Sequence, residues 1–398
     1  MRVAIIGQGY VGLTIAVGAA GAGHKVVGFD VNQNLVDQLN SGKSHIEGIS
    51  DSQITGFISS GSFVASADSS VLDGSDVVVI AVPTPLDGDR NPDLSYVHAA
   101  AELIAKNVKS TTLIINESTS YPGTLRGEIA ALITLSGVAH FYASSPERVD
   151  PGNKEWNLKN TPRLIGGLSP EAVARAKEFY STFCDSIIEV SSPEVAEAAK
   201  IFENTFRQVN IALVNEFAQI SDALGISSRE VIDAASTKPY GFMPFNPGPG
   251  VGGHCIPVDP SYLAHVANEV GVPATFIKRA NEVNLAMPAY VVKRVVAGAG
   301  GSIAGKSVVL VGVSYKANVA DTRETPAAAV IDLLRAQGAN VVWHDDLVGN
   351  WRGETSAQLA VHDIAVVVTK HDGVRDAAIK DSKYVFDCTG TLPGVDGI

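Results

Sequence analysis

Short runs of consecutive apolar residues, each followed by a polar or glycine-rich stretch, recur at both ends of this chain. Residues 2–6, 24–29 and 76–82 are rich in β-branched side chains, which is typical of strands buried on both faces of a parallel sheet. Further runs of this kind are 112–116, 307–313, 340–343, 364–369 and 384–387. Helical patterns separate the runs, so the alternation predicts an α/β unit at each end of the chain.

The middle of the chain has a different periodicity. From Pro193 to about Leu224, apolar residues recur at steps of three and four, which predicts one long amphipathic helix. Ser192 suits the N-cap and Pro193 the first helical position. The helical pattern then continues to about Gly300, apart from a loop at 240–259. The whole pattern predicts two Rossmann-like domains joined by a long central helix and a helical block, with a homodimer contact through that helix. The predicted domains are 1–190, 191–300 and 301–398.

A glycine-rich turn follows the first predicted strand. It contains a complete GxGxxG motif, leads into an apolar helical stretch, and precedes a second strand that ends at Asp30. In this order of elements, the turn and the helix N-terminus bind a pyrophosphate, and the acid accepts hydrogen bonds from the adenosine ribose. A carboxylate at that position repels a 2′-phosphate, so the cofactor is predicted to be NAD and not NADP. The predicted cofactor-binding residues of the turn are Gly7, Gly9, Tyr10, Val11 and Gly12.

Threonines follow the next two predicted strands. Ligands of open α/β sheets lie beyond the carboxyl ends of the strands, so Thr84 and Thr119 are predicted to reach the nicotinamide half of the cofactor. Ordinary turn chemistry at a strand end is the alternative interpretation.

Composition and charge narrow the class of protein. The 398 residues carry a formal charge of −12 and no run of lysine or arginine, which argues against nucleic acid or an anionic membrane as a partner. No segment approaches the roughly 20 apolar residues that span a bilayer. The three cysteines have no metal-type spacing and fit a reducing cytoplasm, so the predicted location is cytoplasmic.

A second glycine-rich stretch, 248–253, leads almost directly into Cys255. Its glycines allow the backbone to approach a ligand closely. Pro257 suits the first turn of a helix, which would place Cys255 just ahead of a helix N-terminus, where the partial positive charge favours a thiolate. The alternative is a turn whose cysteine is a small buried apolar residue.

Taken together, these motifs closely resemble the nucleotide-sugar (UDP-glucose/GDP-mannose) dehydrogenase family over essentially the whole chain. The matching segments are 7–12, Asp30, 82–85, 117–119, 145–147, 200–204, 252–259 and 314–326. The resemblance implies an NAD-dependent enzyme that oxidises C6 of a UDP-sugar to a carboxylate in a four-electron reaction. It also implies an N-terminal NAD domain, a central helical dimerisation region and a C-terminal UDP-binding domain.

The resemblance implies roles for individual residues. Cys255 matches the family's nucleophile, which carries a thiohemiacetal and then a thioester. Lys200 and Asn204 match residues that stabilise the developing oxyanion. Asp259 and Thr119 match residues that hold or activate the attacking water.

The remaining implied roles concern hydrolysis and binding. Glu147 matches an acid implicated in thioester hydrolysis, and Arg323 matches a cofactor contact. The substrate contacts that the resemblance implies are Arg148, Lys200, Asn204, Phe245, Asn246, Gly250, Gly252 and Lys316.

Several positions depart from the pattern of UDP-glucose dehydrogenases. Pro151 stands where a second glutamate is common, and His254 and Val258 stand where tyrosine and lysine are common. These differences are more similar to the branch that acts on UDP-N-acetylhexosamines, and the stretch 241–250 favours UDP-N-acetylglucosamine over UDP-N-acetylmannosamine. They leave open which group activates the hydrolytic water.

The prediction is therefore NAD-dependent, metal-free oxidation of C6 of UDP-N-acetylglucosamine, supplying a uronic acid for a surface polysaccharide. The same chemistry on UDP-N-acetylmannosamine or UDP-glucose is the nearest alternative. A two-electron hydroxyacid dehydrogenase shares the dinucleotide motif but has no need of Cys255. A non-catalytic dinucleotide-binding protein is a third class. A metal site at His254 and Cys255 lacks further ligands at suitable spacing.

Overall fold

The computed structural model describes residues 1–46, 48–150, 153 and 155–398; Pro151 and Gly152 lie outside the described residues. The chain forms two compact units. The first comprises Met1–Glu203 with Ser261–Val272, and the second comprises Asn204–Pro260 with Pro273–Ile398. The division falls inside one long helix, and the three predicted domain boundaries stay a prediction.

The first unit alternates strands and helices from its first residues. Its strands are β1 (Arg2–Ile6), β2 (Lys25–Phe29), β3 (Phe63–Ser66), β4 (Val77–Ile80), β5 (Leu113–Asn116), β6 (Phe141–Ser144), β7 (Arg163–Gly167) and β8 (Ile187–Glu189). Its helices are α1 (Tyr10–Gly21), α2 (Gln33–Asn40), α3 (Asp51–Ser59), α4 (Ser95–Asn107), α5 (Ala131–Thr134) and α6 (Pro170–Tyr180), with a 3-10 turn at Ser69–Leu72 and a π-helical segment at Leu125–Ala130.

These strands form one sheet in the order β3-β2-β1-β4-β5-β6-β7-β8. Neighbouring strands are parallel except β6 and β7. The strand order reverses between β1 and β4, and open α/β sheets bind ligands at such a reversal, beyond the carboxyl ends of the strands. Every residue of β4 and β5 is buried, as expected for central parallel strands covered on both faces.

Two long helices, with two shorter ones between them, precede the second sheet. The helical segments are α7 (Pro193–Leu224), α8 (Ser228–Ser236), α9 (Asp259–Glu269) and α10 (Thr275–Gly298). The later elements are β9 (Ser307–Val311), α11 (Pro326–Ala336), β10 (Asn340–His344), β11 (Asn350–Trp351), β12 (Glu354–Thr355), β13 (Ile364–Val367), α12 (Asp376–Lys380), β14 (Tyr384–Asp387) and β15 (Asp396–Gly397).

The second sheet is entirely parallel, in the order β10-β9-β13-β14-β15. Its residues alternate between two cores. Val308 and Leu310 of β9 join a core with α10 and α11, whereas Val309 and Val311 join another with Ile379 of α12. Successive side chains of a strand point to opposite faces, so one strand supports both layers. The predicted α/β architecture with two Rossmann-like sheets is confirmed.

Two helix starts differ from their predicted positions. Helix α1 begins at Tyr10, three residues earlier than the predicted start at Leu13, because the Leu13 amide already donates to the Gly9 carbonyl at 3.0 Å. Helix α9 begins at Asp259, two residues after Pro257. The long helix α7 has the predicted bounds.

Candidate active site

The turn between β1 and α1 uses its three motif glycines for three different physical reasons. Gly7 has φ +91°, and a Cβ there would lie 2.4 Å from the Ala81 carbonyl oxygen beyond β4. A Cβ on Gly12 would lie 1.8 Å from the Gly7 carbonyl oxygen. Gly9 caps α1, and a Cβ there would meet no atom within 4 Å. Packing within the protein therefore does not require glycine at position 9. A glycine at this position fits the close approach of a pyrophosphate to the backbone.

Asp30 lies beside this turn at the end of β2. Its Oδ2 accepts from the Gln8 amide at 2.8 Å, and its Oδ1 accepts from the Asn32 amide at 2.9 Å. Each carboxylate oxygen has a second lone pair, so bonds from ribose hydroxyls are compatible with both contacts. The turn, the uncapped N-terminus of α1 and the half-buried carboxylate together fit the adenosine diphosphate half of NAD.

The two predicted nicotinamide-side threonines follow neighbouring strands. Thr84 follows β4 and is buried, and Thr119 follows β5 and is half-buried. Ser118 joins the two loops, because its hydroxyl donates to the Val82 carbonyl and accepts from the Val82 amide, both at 2.9 Å. Both threonines thus lie at the same edge of the sheet, next to the reversal in strand order.

The loop after β5 is anchored to α7 by Glu197. The buried Glu197 carboxylate accepts from the Gly123 amide at 2.8 Å and from the Leu125 amide at 2.9 Å. Burial raises the pKa of Glu197 to about 8, although the two amides oppose the shift. Glu197 lies three residues before Lys200 on α7, so it ties the loop that carries Thr119 to the helix that carries a predicted oxyanion-stabilising residue.

Glu147, the predicted acid, is held in one orientation within a buried ion cluster. Its Oε1 accepts from the Arg148 amide at 2.6 Å and the Val149 amide at 2.7 Å. Its Oε2 accepts from Arg163 Nη2 at 3.0 Å. Burial opposes ionisation, but the charges of Arg163 and Lys200 and the two amide bonds hold the pKa of Glu147 below its usual range. Glu147 is therefore a carboxylate at neutral pH.

Arg163 connects Glu147 to a second buried acid, Glu117. Arg163 Nη1 donates to Glu117 Oε1 at 2.7 Å and to the Ser145 carbonyl oxygen at 3.2 Å. The Tyr180 hydroxyl also donates to Glu117 Oε1, and the Arg163 guanidinium stacks 4.5 Å above the Tyr180 ring. Burial raises the pKa of Glu117 to about 7 despite Arg163. The two carboxyls that share one guanidinium are thus shifted in opposite directions.

Arg148, predicted to contact the substrate, is bound to the protein itself. Its guanidinium makes a two-point contact with the Glu203 carboxylate, at 2.6 Å from Nη2 and 3.2 Å from Nε. Its Nη1 donates to the Pro162 carbonyl at 2.7 Å. A substrate contact would compete with Glu203, and the assignment of Arg148 stays a prediction.

Two residues predicted to act near the reacting carbon are joined directly. Asn204 Nδ2 on α7 donates to Asp259 Oδ2 at 2.5 Å, and both side chains are buried. Lys200 lies four residues before Asn204, on the same helical face. The amide nitrogen of Asn204 carries a second hydrogen, so the bond to Asp259 leaves it able to donate to an oxyanion.

The Cys255 loop packs against the loop that follows β9. The Gly253 amide donates to the Arg323 carbonyl at 2.9 Å. A Cβ on Gly252 would lie 2.7 Å from the Tyr315 Cβ, and one on Gly253 would lie 2.9 Å from the Tyr315 ring. These two glycines are therefore required by packing within the protein. Cys255 itself is exposed, so the alternative of a buried structural cysteine is wrong.

Cys255 also begins the turn that leads into α9. The amides of Val258 and Asp259 donate to its carbonyl oxygen at 3.2 and 2.8 Å. This turn places Cys255 ahead of the helix, as predicted, although Cys255 lies four residues before the first helical residue, Asp259. Activation of the thiol by the helix stays a prediction.

The rest of the glycine-rich stretch is fixed by contacts within the second unit. The Gly248 amide donates to Asn215 Oδ1 at 2.9 Å, so this amide already has a partner within the protein. The Phe245 ring packs edge-on against Phe206, with centroids 6.0 Å apart, and Asn246 is exposed.

Gly250 and Arg229 complete this framework. Gly250 has φ +130°, and a Cβ there would lie 3.0 Å from the Asn284 carbonyl oxygen. The Arg229 guanidinium donates to the Pro247 carbonyl at 3.3 Å and to the Cys388 carbonyl at 3.0 Å. A rigid loop results, with the predicted substrate contacts Phe245, Asn246, Gly250 and Gly252 on it.

Lys316 and Arg323 lie on one loop, between β9 and α11. The Tyr315 amide donates to the Asp321 carbonyl at 2.9 Å, and Arg323 Nη2 bonds the Asp321 carboxylate at 2.6 Å. The Asn318 amide donates to His371 Nδ1 at 2.8 Å. The contacts of Lys316 with a nucleotide sugar and of Arg323 with the cofactor stay predictions.

Two residues that the structure places in these contacts, Arg163 and Glu197, are not predicted from the sequence. Arg163 stands at the start of a strand, and Glu197 stands near the start of a helix, where acids are common because of the helix dipole. No sequence signal distinguishes them, because their importance comes from partners 46 and 72–74 residues away in the chain.

A cavity of 380 Å³ lies beside α4 and contains none of the predicted site residues. Its lining includes His98, Tyr121, Glu128 and His265.

Among the described residues, no group of three or more histidine, cysteine or acidic side chains is arranged to hold a metal ion. A helix of the length and hydropathy needed to cross a membrane is also not found in that part of the chain.

The fold and the turn after β1 define a dinucleotide-dependent oxidoreductase. Three family models identify the group more closely. Residues 1–184 match the NAD binding domain of the UDP-glucose/GDP-mannose dehydrogenase family, residues 194–286 its central domain, and residues 309–393 its UDP binding domain. The chain belongs to the UDP-glucose/GDP-mannose dehydrogenase family, and the predictions of an NAD-dependent nucleotide-sugar dehydrogenase and of NAD as cofactor are confirmed.

Similar proteins share the family but differ in the sugar that their names give. The chain is 37% identical to the UDP-N-acetyl-D-mannosamine dehydrogenase of Methanococcus maripaludis, over 98% of this chain and 93% of that protein. It is 36% identical to the UDP-N-acetyl-D-glucosamine 6-dehydrogenase of Pseudomonas aeruginosa, over 95% and 89%. A solved UDP-N-acetylmannosamine dehydrogenase of Pyrococcus horikoshii superimposes with a TM-score of 0.90 at 33% identity, covering 100% of this chain and 99% of that one.

Proposed function

We propose that this enzyme oxidises C6 of a UDP-N-acetylhexosamine to the carboxylate, using two NAD and a covalent intermediate on Cys255. The observation that carries the proposal is an exposed cysteine at the end of a closely packed glycine-rich loop, in a chain that also has a dinucleotide turn and a UDP binding domain. A dehydrogenase that performs only one oxidation needs no such nucleophile.

The proposed covalent chemistry uses the thiolate of Cys255. Bound NAD supplies the hydride acceptor for each of the two oxidations. After the first, the sulfur adds to the C6 aldehyde, and the thiohemiacetal is then oxidised to a thioester. Water attacks the thioester carbon, the C–S bond breaks, and the uronic acid and the free thiol result. The aldehyde thus stays attached to the protein.

The charged and amide side chains support these steps. Lys200 and Asn204 share one face of α7 and would stabilise negative charge on the oxygen at C6. The bond from Asn204 to Asp259 fixes the direction of that amide. The ionised Glu147 is suited to accept a proton from the hydrolytic water, and Asp259 and Thr119 are proposed to hold that water.

Two C2 epimers are candidates for the sugar. The sequence favoured UDP-N-acetylglucosamine, and the Pseudomonas relative carries that name. The names of the Methanococcus relative and of the Pyrococcus structure favour UDP-N-acetylmannosamine. The proposal therefore covers both epimers, with UDP-glucose as the remaining alternative. The uronic acid would serve a surface polysaccharide, and the spacing of the three cysteines is consistent with a cytoplasmic location.

A homodimer through α7 is part of the proposal. Phe206, Leu213 and Ile220 recur every seven residues on α7, and all three are exposed large apolar side chains. Phe202 and Leu224 are exposed at the ends of the same stretch. Apolar side chains at a seven-residue spacing suit packing against a second helix of the same kind. Leu213→Lys is expected to shift the protein to a monomer in sedimentation experiments. Arg207→Glu is the control and should not, because Arg207 is exposed on the same helix but about 100° around it from Phe206.

The test of the function is the number of NADH released per UDP-sugar, compared across the three sugars. We expect two NADH per sugar for the true substrate, and no net turnover with Cys255→Ser. Cys388→Ala is the control, because Cys388 is a buried cysteine in the core of the second unit, outside the proposed chemistry. One NADH per sugar, with activity that survives Cys255→Ala, would contradict the covalent mechanism. NAD binding without turnover of any UDP-sugar would indicate a non-catalytic protein.

A further inference from the structure

The buried cluster around Arg163 contains two carboxyls, and the proposed mechanism uses only one of them. We propose that Arg163 is a positioning residue that holds Glu147 as an oriented carboxylate for thioester hydrolysis, with Glu117 occupying its other side. This inference rests on the proposed function and extends it to residues outside the predicted site.

The hydrogen bonds on the Glu147 carboxylate support this role of Arg163. Both oxygens of Glu147 have hydrogen-bond donors: two backbone amides on Oε1 and Arg163 on Oε2. The amides come from the adjacent residues and do not restrict the far side of the carboxylate. Arg163 is the one side chain among the described contacts that holds Oε2 in place, and Arg163 is itself held by Glu117 and the Ser145 carbonyl.

The charge balance of the cluster also supports it, because one guanidinium lies between two carboxyls. One guanidinium compensates one carboxylate, and a second uncompensated charge in a buried site is costly. Glu147 has the two amides and the nearby charge of Lys200 in its favour. Glu117 Oε2, in contrast, has no hydrogen-bond partner within the described residues. Glu117 is therefore the acid of the cluster that takes up a proton more readily, in agreement with the opposite pKa shifts of the two acids.

Hydrolysis of the thioester requires a carboxylate that is oriented toward the attacking water. In hydrolysis the water oxygen bonds to the thioester carbon, the C–S bond breaks, and the sulfur leaves as a thiolate. The proton lost by the water passes to Glu147 and then to solvent. No electrons enter or leave. A carboxylate turned away from the water loses this function even if it stays ionised, and a small misplacement of a catalytic group can cost on the order of 100-fold in rate.

The experiment separates hydrolysis from the two oxidations. Arg163→Met and Arg163→Lys are compared with Glu117→Gln in full-length enzyme, using rapid-quench NADH measurement and intact-protein mass spectrometry. The Lys variant keeps a charge in the cluster and serves if the Met variant does not fold. Glu117→Gln is the matched control, because glutamine can keep the acceptor for Arg163 and Tyr180 while its amide group replaces the unpartnered Oε2.

For both Arg163 variants we expect a burst of two NADH per active site at a rate within about threefold of wild type. The steady-state rate should then be lower by about 10- to 100-fold, with the acyl group retained on Cys255. Glu117→Gln should keep a steady-state rate within about threefold of wild type and accumulate no acyl-enzyme.

Two results would overturn the inference while leaving the proposed function in place. One is an equal loss of burst and steady-state rates in the Arg163 variants without acyl-enzyme. The other is acyl-enzyme accumulation in Glu117→Gln equal to that in Arg163→Met. A wild-type enzyme that forms no NADH with any UDP-sugar would instead overturn the proposed function, and the inference with it.

Discussion

The two Rossmann-like sheets begin with the same local structure and use it for different purposes. Gly7 follows β1 and Gly312 follows β9, and both have positive φ, at +91° and +86°. Each donates its amide at 2.8 Å to a carbonyl at the end of the second strand of its sheet. A Cβ on either would collide with a carbonyl oxygen beyond the neighbouring strand, at 2.4 Å for Gly7 and 1.8 Å for Gly312.

The acids at the ends of the second strands then differ. Asp30 makes two backbone contacts and is half-buried. Asp345 is buried; its Oδ2 accepts from the amides of Val313 and Ser314, and its Oδ1 accepts from the amides of Leu347 and Val348. His371 Nε2 adds a bond to Oδ1 at 3.0 Å. The acid at this position is thus predicted to bind the cofactor ribose in the first unit, whereas in the second unit it is a structural brace.

Replacing the two acids should separate these uses most clearly. Asp345→Asn puts an amide group against donors that need an acceptor, so we expect a loss of about 3 kcal/mol or more in the free energy of unfolding. Asp30→Asn should cost about 1 kcal/mol or less, because water can replace its two contacts. Urea denaturation followed by far-ultraviolet circular dichroism, which reports on the helices of both units, measures both. Equal losses would contradict the comparison.

Glycine substitutions in the first turn should separate cofactor binding from packing. Gly9→Ala has room for its Cβ, so the melting temperature should stay within about 2 °C while the Kd for NAD rises by about 10- to 100-fold. Gly12→Ala should destabilise the first unit itself, since its Cβ would overlap the Gly7 carbonyl. Calorimetric titration with NAD and thermal unfolding distinguish the two. An unchanged Kd in Gly9→Ala would remove the argument that a pyrophosphate approaches this position.

One buried acid in each unit should make the free energy of unfolding depend on pH, and the two effects should have opposite sign. Because the pKa of Glu197 is raised to about 8, the folded chain holds this proton more tightly than the unfolded chain. This carboxyl therefore lowers the free energy of unfolding as the pH rises from about 4.5 to about 8. Glu197→Gln should reduce that loss, by about 2 kcal/mol between pH 6 and pH 8.5. An unchanged slope in the variant would show that Glu197 is ionised throughout this range.

Asp345 provides the opposite case. Burial opposes its ionisation, but the hydrogen bonds from His371 and from the amides of Leu347 and Ser314 lower its pKa. Its contribution is therefore complete above the ordinary pKa of about 3.9 and is lost only as the pH falls below that value. Wild type and Asp345→Asn should differ by the same amount at pH 6 and pH 8.5.

The smallest expected effect concerns cofactor choice. Asp30→Asn removes the charge that repels a 2′-phosphate and weakens the contact with ribose hydroxyls, so the Kd ratio of NADP to NAD should fall by about tenfold. Asp37→Asn, on the exposed surface of α2, is the control and should leave the ratio unchanged. A ratio that does not move in Asp30→Asn would indicate that another group excludes NADP.

Local patterns in the sequence were sufficient for much of the first site. The GxGxxG turn, Asp30 and the bounds of α7 follow from residues close together in the chain, where sterics and periodicity act directly. The start of α1 was predicted three residues late, because glycine disfavours a helix interior and yet the motif forms the first helical turn. The cysteine loop was recognised, and close approach of a ligand to glycines 252 and 253 stays a prediction. The structure adds that packing against Tyr315 requires both glycines.

The sequence by itself determined the two α/β units, the dinucleotide turn, the family and the place of Cys255 after a glycine-rich stretch. Only the tertiary structure decided that Asn204 bonds Asp259, that Arg163 holds Glu147 beside Glu117, and that Asp345 is a brace. The physical reason is burial. A charge or amide removed from water must find its partners wherever the fold provides them, and those partners lie tens of residues away and leave no local pattern.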